Sequence, residues 1–306
     1  MGYKFKRLGP LYRDFATTVG PLNLTAGVPI AEIFLGMYGH RILAAVAGNN
    51  ISAFLQQLSE ITVTRAGQTI VSIEHGQDLL ALMRAPWLDQ TPDLTDGVSS
   101  DHYLYCKGLN LPCAYPPGAA GEFQLTLENT DTANTDEEKI SITEGQGLYA
   151  QNYFGQGILG GQVDDKNYGP QHFHIVKRLK TPSAAWEDFN IGTEGTLIGL
   201  MLWQTDEESK TKAYTAVNFE EIKLEIGGET VILTDYLAAL GTQGSFGGAE
   251  SNTRVCWPSA ILSEYIYFDF RRQPWDCRGK SVILSWNDSE LHAIRAYPIY
   301  LVNWGP

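Results

Sequence analysis

Short runs in which apolar and polar residues alternate recur along the chain with turn-forming residues between them, the period-two pattern of half-buried strands. Ile61-Thr62-Val63-Thr64 sets Ile and Val on one face and both threonines on the other. Ile222-Lys223-Leu224-Glu225-Ile226 alternates more strongly, and Tyr265 to Phe270 reads as a further strand. Helical patterns are few. Asn50 is placed to cap a helix with Ile51, Phe54, Leu55 and Leu58 at i, i+3, i+4 and i+7, and shorter helices are predicted near Asp78 and Asp235.

An internal repeat organises these elements. Ile61 to Ile73 (ITVTRAGQTIVSI) resembles Ile222 to Thr234 (IKLEIGGETVILT), with Ile61 on Ile222, Gly67 on Gly228 and Thr69 on Thr230 at an offset of 161. Asp78-Leu79-Leu80-Ala81 then matches Asp235-Tyr236-Leu237-Ala238 at 157, and the strand Phe123 to Leu127 matches Val282 to Trp286 at 159. Three elements in one order at a nearly constant offset indicate one domain used twice. The glycine-rich stretch Gly145 to Gly161 lies between the copies. The expected organisation is a basic N-terminal arm over residues 1–14, a first jelly roll over 15–150, a Gly-rich linker over 151–168 and a second jelly roll over 169–306. Helices within the connections favour a jelly roll over an immunoglobulin-like sandwich. The fold class is therefore all-β, two tandem eight-stranded jelly rolls with a few short helices.

Charge narrows the partners. Lys and Arg number 22 against 35 Asp and Glu, a net charge of −13, so direct nucleic-acid binding over a broad surface is not expected. With 43% hydrophobic and 19% charged residues the chain has the composition of a folded protein rather than a disordered one. No apolar core follows Lys4, Lys6 and Arg7, because Arg13 and Asp14 interrupt it, and no secretory signal is readable. The apolar stretches fall far short of the ~20 residues that cross a bilayer. Four cysteines make no Cys-x-x-Cys motif. Cys106 and Cys113 bracket Pro112 in what reads as a small loop, and Cys256 and Cys277 flank a hairpin, so each pair is a candidate disulfide. Free, partly buried thiols in a reducing compartment are the expectation.

Candidate chemistry is sparse. Gly155-Gln156-Gly157-Ile158-Leu159-Gly160 matches a dinucleotide fingerprint, but the residues after it make a poor helix start. His172-Phe173-His174 sets two imidazoles on one strand face, as in a cupin metal site, yet Lys177 and Arg178 stand where a cupin supplies its glutamate. A bicupin-type metalloenzyme is thus a minor alternative. Trp87, Trp186, Trp257 and Trp275 lie in loop-like contexts, which keeps a carbohydrate-binding β-sandwich as a second. Residues 85–138 hold ten acids against Lys107 alone, a solvated segment in which a structural Ca²⁺ ion has no spacing motif to support it. No catalytic residue and no cofactor is expected. At the other extreme Lys4, Lys6, Arg7 and Arg13 precede any acid, which suits a basic arm on anionic lipid headgroups, with Lys4, Lys6 and Arg7 the membrane-proximal candidates.

A family resemblance follows from the ordered combination of these features. Phe15 to Gly20, Ile30 to Gly39, the helix after Asn50, the strand Ile61 to Thr64, Gly67-Gln68-Thr69-Ile70 and the helix around Asp78-Leu79-Leu80 resemble the N-terminal domain of double jelly-roll major capsid proteins. The likeness is to those of tailless icosahedral bacteriophages with an internal membrane, of the corticovirus type. It implies two jelly rolls per chain, a homotrimer forming a pseudo-hexagonal capsomer, and a virion location with assembly in the host cytoplasm. It also implies as partners further copies of the chain, minor capsid or vertex proteins, and membrane lipids near the N-terminus.

Overall fold

The structure is a computed structural model. It describes residues 4–13, 18–41, 55, 57–84, 93–96, 102–130, 137–147, 171–180, 186–205, 219–234, 265–270, 274–288 and 293–303. The chain divides into two compact units, one made of Met1–Arg84, Leu88–Phe173 and Asn303–Pro306, the other of Ala85–Trp87 and His174–Val302.

The first unit contains β1 (Lys4–Arg7), β2 (Tyr12–Arg13), β3 (Val19–Asn23), β4 (Ile30–Arg41), β5 (Leu58–Arg65), β6 (Gln68–Ile73), helix α1 (Gly76–Arg84), β7 (Asp93–Asp96), β8 (His102–Tyr115), β9 (Phe123–Asn129) and β10 (Glu137–Gln146). β11 (Gln171–Val176) runs across the division. The second unit continues with β12 (Arg178–Lys180), β13 (Trp186–Asn190), β14 (Thr196–Thr205), β15 (Phe219–Ile226), β16 (Glu229–Thr234), β17 (Tyr265–Asp269), β18 (Trp275–Asp276), β19 (Val282–Asp288) and β20 (Ala293–Asn303).

In the first unit β1-β10-β4-β8-β7 make one sheet, with β2 also on β10, and β6-β5-β9-β3 make the facing one. In the second, β20-β14-β17 repeats β10-β4-β8, and β16-β15-β19-β13 repeats β6-β5-β9-β3. The chain crosses between sheets in the same sequence both times, which is jelly-roll topology. The all-β, double jelly-roll expectation is borne out.

Local chemistry explains why the repeat folds alike. Ala66 and Gly67 have φ of 48° and 82°, and Gly227 and Gly228 have 59° and 85°, so both hairpins turn through a two-residue connection with positive φ at both positions. The β5–β6 ladder runs Ile61↔Ile73, Thr62↔Ser72, Val63↔Val71, slips by one, and resumes at Thr64↔Thr69. The β15–β16 ladder runs Ile222↔Thr234, Lys223↔Leu233, Leu224↔Ile232, slips by one, and resumes at Glu225↔Thr230. Turn and bulge recur at the offset of 161.

Alternation then fills each core. Ile33, Leu35, Ile61, Val63, Leu125, Ile140 and Ile142 are fully buried in the first unit. Ile222, Leu224, Ile226, Val282, Leu284 and Trp286 pack together in the second, with the Trp286 ring edge-on to Phe189 at 6.1 Å between centroids. The helix expected near Asp78 is α1, and it is buried throughout Gly76 to Met83 because it packs on β8, β5 and β6.

Several expectations are corrected. Leu55 is helical as expected, but Leu58 begins β5 rather than continuing the helix, while Asn50, Ile51, Phe54 and the helix near Asp235 lie outside the described residues. Cys106 and Cys113 do not bracket a loop: both lie on β8, seven residues apart along an extended strand of ~3.3 Å per residue, far beyond disulfide reach. They and Cys277 are free, buried thiols, and Cys256 is outside the described residues. Gly145 and Gln146 finish β10 rather than starting a linker, and residues 151–168 are outside the described residues. The acid-rich stretch 85–138 is not one solvated face, because it includes β8 and β9, whose Leu109, Leu111, Leu125 and Leu127 are core residues.

Candidate functional site

The basic residues Lys4, Lys6 and Arg7 stand on β1, an edge strand paired with β10 at Lys4↔Gln146, Phe5↔Gly145, Lys6↔Glu144 and Arg7↔Thr143. All four β1 residues are exposed. What fixes the strand is a buried carboxylate. Ile140, Ile142 and Glu144 take successive inward positions on β10, and Glu144 has no exposed surface. Its oxygens accept from the Thr25 amide (2.8 Å), the Thr25 hydroxyl (2.6 Å) and Gln146 Nε2 (3.0 Å), while the Lys6 ammonium donates to Thr25 Oγ1 at 2.7 Å. A buried charge is tolerated only when it is hydrogen-bonded in this way. The network ties β1 and the turn after β3 to β10. On the other face of β1 the Phe5 ring stands 5.7 Å from that of Phe34, and Phe5 is still 66% exposed.

A second open edge lies in the other unit. Among the described residues β16 has one ladder partner, β15. Leu233 is 62% exposed on the outward face of this hairpin, beside Lys223, which pairs with Glu225 at 2.8 Å. Its counterpart in the first repeat is Ser72, which is buried and donates to Glu60 Oε1 at 3.0 Å. The outward positions of β15 carry Glu221, Lys223 and Glu225, and the exposed Glu229 starts β16. Sequence reading missed Glu144 and Leu233. The inward phase of Ile140-x-Ile142-x-Glu144 signals the first, and the misfit between Ser72 and Leu233 in an otherwise matching repeat signals the second.

Burial raises the Cys113 thiol well above its ordinary range and pushes Cys277 up to about 11, so both are protonated at neutral pH and neither is a ready nucleophile. His172 is buried with its ring edge-on to Tyr115 at 6.2 Å. Burial also lowers the His174 pKa; Glu194 pulls it back up and Arg178 pushes it further down. Arg178, expected to stand in place of a cupin ligand, pairs with Glu194. Among the described residues no group of three or more His, Cys, Asp or Glu is arranged to hold a metal ion. Trp186 and Trp275 lie in strands rather than loops, Trp275 packs against the second core, and Trp87 and Trp257 are outside the described residues. The nucleotide-like Gly155 to Gly160 is outside them too. No helix among the described residues is long and apolar enough to cross a membrane.

Two tandem jelly rolls with matching strand order define the double jelly-roll fold, and solved structures share it across the whole chain. A chain of the atomic structure of Sulfolobus Turreted Icosahedral Virus matches with a TM-score of 0.72 and 13% identity over 98% of this chain and 90% of that one. The STIV MCP matches at 0.68 and 13% identity, covering 99% and 97%. The major capsid protein P2 from bacteriophage PM2 matches at 0.59 and 9% identity, covering 99% and 98%. At these identities the likeness is one of fold. No protein-family model and no curated protein matches the chain.

Proposed function

We propose that the chain is a structural, non-enzymatic major capsid protein that trimerises into pseudo-hexagonal capsomers and tiles an icosahedral virion shell over an internal membrane. The observation that carries this reading is the exact recurrence of strand order, turn and bulge in the two units. Two like barrels per chain let three copies present six similar bodies around one axis, which suits a hexagonal position in a shell. The whole-length likeness to the STIV MCP and to P2 supports it, since both match end to end with little of either chain left over. The test is the mass in solution. Light scattering of purified protein is expected to give three times the 33.8 kDa chain mass, or larger assemblies. A monomer under every condition of salt, pH and concentration overturns the reading.

A further inference from the structure

We infer that edge strand β1 of one copy adds to edge strand β16 of a second copy, so that the strand edge carrying Lys4, Lys6 and Arg7 is a self-assembly contact. The inference rests on the capsid reading and names the surface through which copies join.

An edge strand presents a row of unpaired amides and carbonyls, a template for another strand. Among the described residues β1 is bonded on one side only, to β10, and β16 on one side only, to β15. Their charges are opposite. β1 holds Lys4, Lys6 and Arg7 with no acid, whereas β16 begins at the exposed Glu229 and has no basic residue, and Glu221 and Glu225 stand one strand further in on β15, where Glu225 pairs with Lys223. Like charges across a strand pair are destabilising, so β1 against β1 is rejected while β1 against β16 is favoured.

The apolar residues point the same way. Phe5 and Leu233 are the two most exposed large hydrophobic side chains among the described residues, and each sits on one of these strands. Leu233 is exposed at the repeat position where Ser72 is buried. Ser72 is satisfied where it is by its bond to Glu60, whereas a strand added at β16 covers Leu233. The first-unit counterpart of β16 offers no such surface, because Ile70, Val71, Ser72 and Ile73 of β6 are all buried. Glu144, Thr25 and Lys6 hold β1 in place before any partner arrives, so little ordering entropy opposes binding. Because β1 and β16 are different surfaces, the contact is heterologous and runs head to tail, the kind that closes a ring of three.

A charge swap in the full chain tests this. One variant carries Lys4→Glu with Arg7→Glu, a second carries Glu221→Lys with Glu229→Lys, and a third carries all four. Self-association is measured by sedimentation against concentration. Each pair alone is expected to weaken association by at least about tenfold, and the four together to recover most of that loss. Leu233→Ser is expected to weaken association while leaving the melting temperature unchanged at dilutions where the wild type is dissociated, separating contact from folding. A wild-type trimer indifferent to either pair, or four changes that rescue nothing, overturns the strand contact and leaves the capsid reading standing. A wild-type chain that never associates overturns the capsid reading itself. Unchanged association with loss of flotation on phosphatidylglycerol vesicles in the Lys4→Glu, Arg7→Glu variant overturns the contact and assigns these cations to an anionic lipid surface.

Discussion

The hairpins β5–β6 and β15–β16 share turn, register and bulge, yet their second strands live in different surroundings. β6 is buried from Ile70 to Ile73, with α1 packed beside it, whereas β16 keeps one buried residue, Ile232, and exposes Leu233. The shared part is local: alternation and a glycine turn dictate it wherever the segment sits. The unshared part is set by neighbours. A repeated segment therefore tells what conformation the chain adopts in both places, and the positions where the two copies disagree in polarity tell where the surroundings differ.

The two cores are expected to respond alike. Ile61→Ala and Ile222→Ala remove equivalent, fully buried side chains, and each is expected to lower stability by about 2–5 kcal/mol. Denaturant unfolding of the two variants checks it, and a loss at one site alone breaks the equivalence. Next is a reciprocal exchange. Ser72→Leu forces extra volume into a filled site and removes a bond to Glu60, with an expected loss of about 1–3 kcal/mol, whereas Leu233→Ser is expected to stay within about 0.5 kcal/mol. Equal effects mean the two edges are not differently covered. Gly67→Ala and Gly228→Ala meet open space, so only the positive φ resists the new methyl, and each is expected to lose about 1–2 kcal/mol by thermal melting.

The smallest effect is a pH dependence confined to the second unit. Burial holds the folded-state pKa of His174 below the unfolded value near ~6.5, so the unfolded chain binds the extra proton first as pH falls. Stability is unaffected above that value and declines with acidification between the unfolded and folded pKa. His174→Gln is expected to flatten this slope in melting scans from pH 7 to 5, and an unchanged slope places the proton elsewhere.

The fold was legible where the determinants were local. Paired glycine turns, the alternation in Ile61 to Thr64 and Ile222 to Ile226, and the constant offset were enough to expect two jelly rolls. Pro112 misled because a proline normally excludes a central strand, yet here it sits in β8 opposite Glu32, next to a bulge in β8 itself, where Pro112 to Tyr115 opposes the shorter run Glu32 to Ile30 and Ala114 lies in the left-handed region. The bulge absorbs what the proline disrupts, and Cys106 and Cys113 come to share a strand. The site was less legible. Lys4, Lys6 and Arg7 stood out by charge alone, but nothing near them in sequence reveals that Glu144 and Thr25, each far away along the chain, turn the tail into a strand. Nor does the repeat reveal that Leu233 is outside, since burial of either copy depends on elements such as α1 that the hairpin itself does not encode.

Electron microscopy of the purified, concentrated protein decides whether the chain assembles as a capsid protein. Particles with a hexagonal outline and three-chain mass, or the sheets and shells built from them, are expected. Fields of single-chain particles at every concentration, with no hexagonal body among them, contradict that assembly.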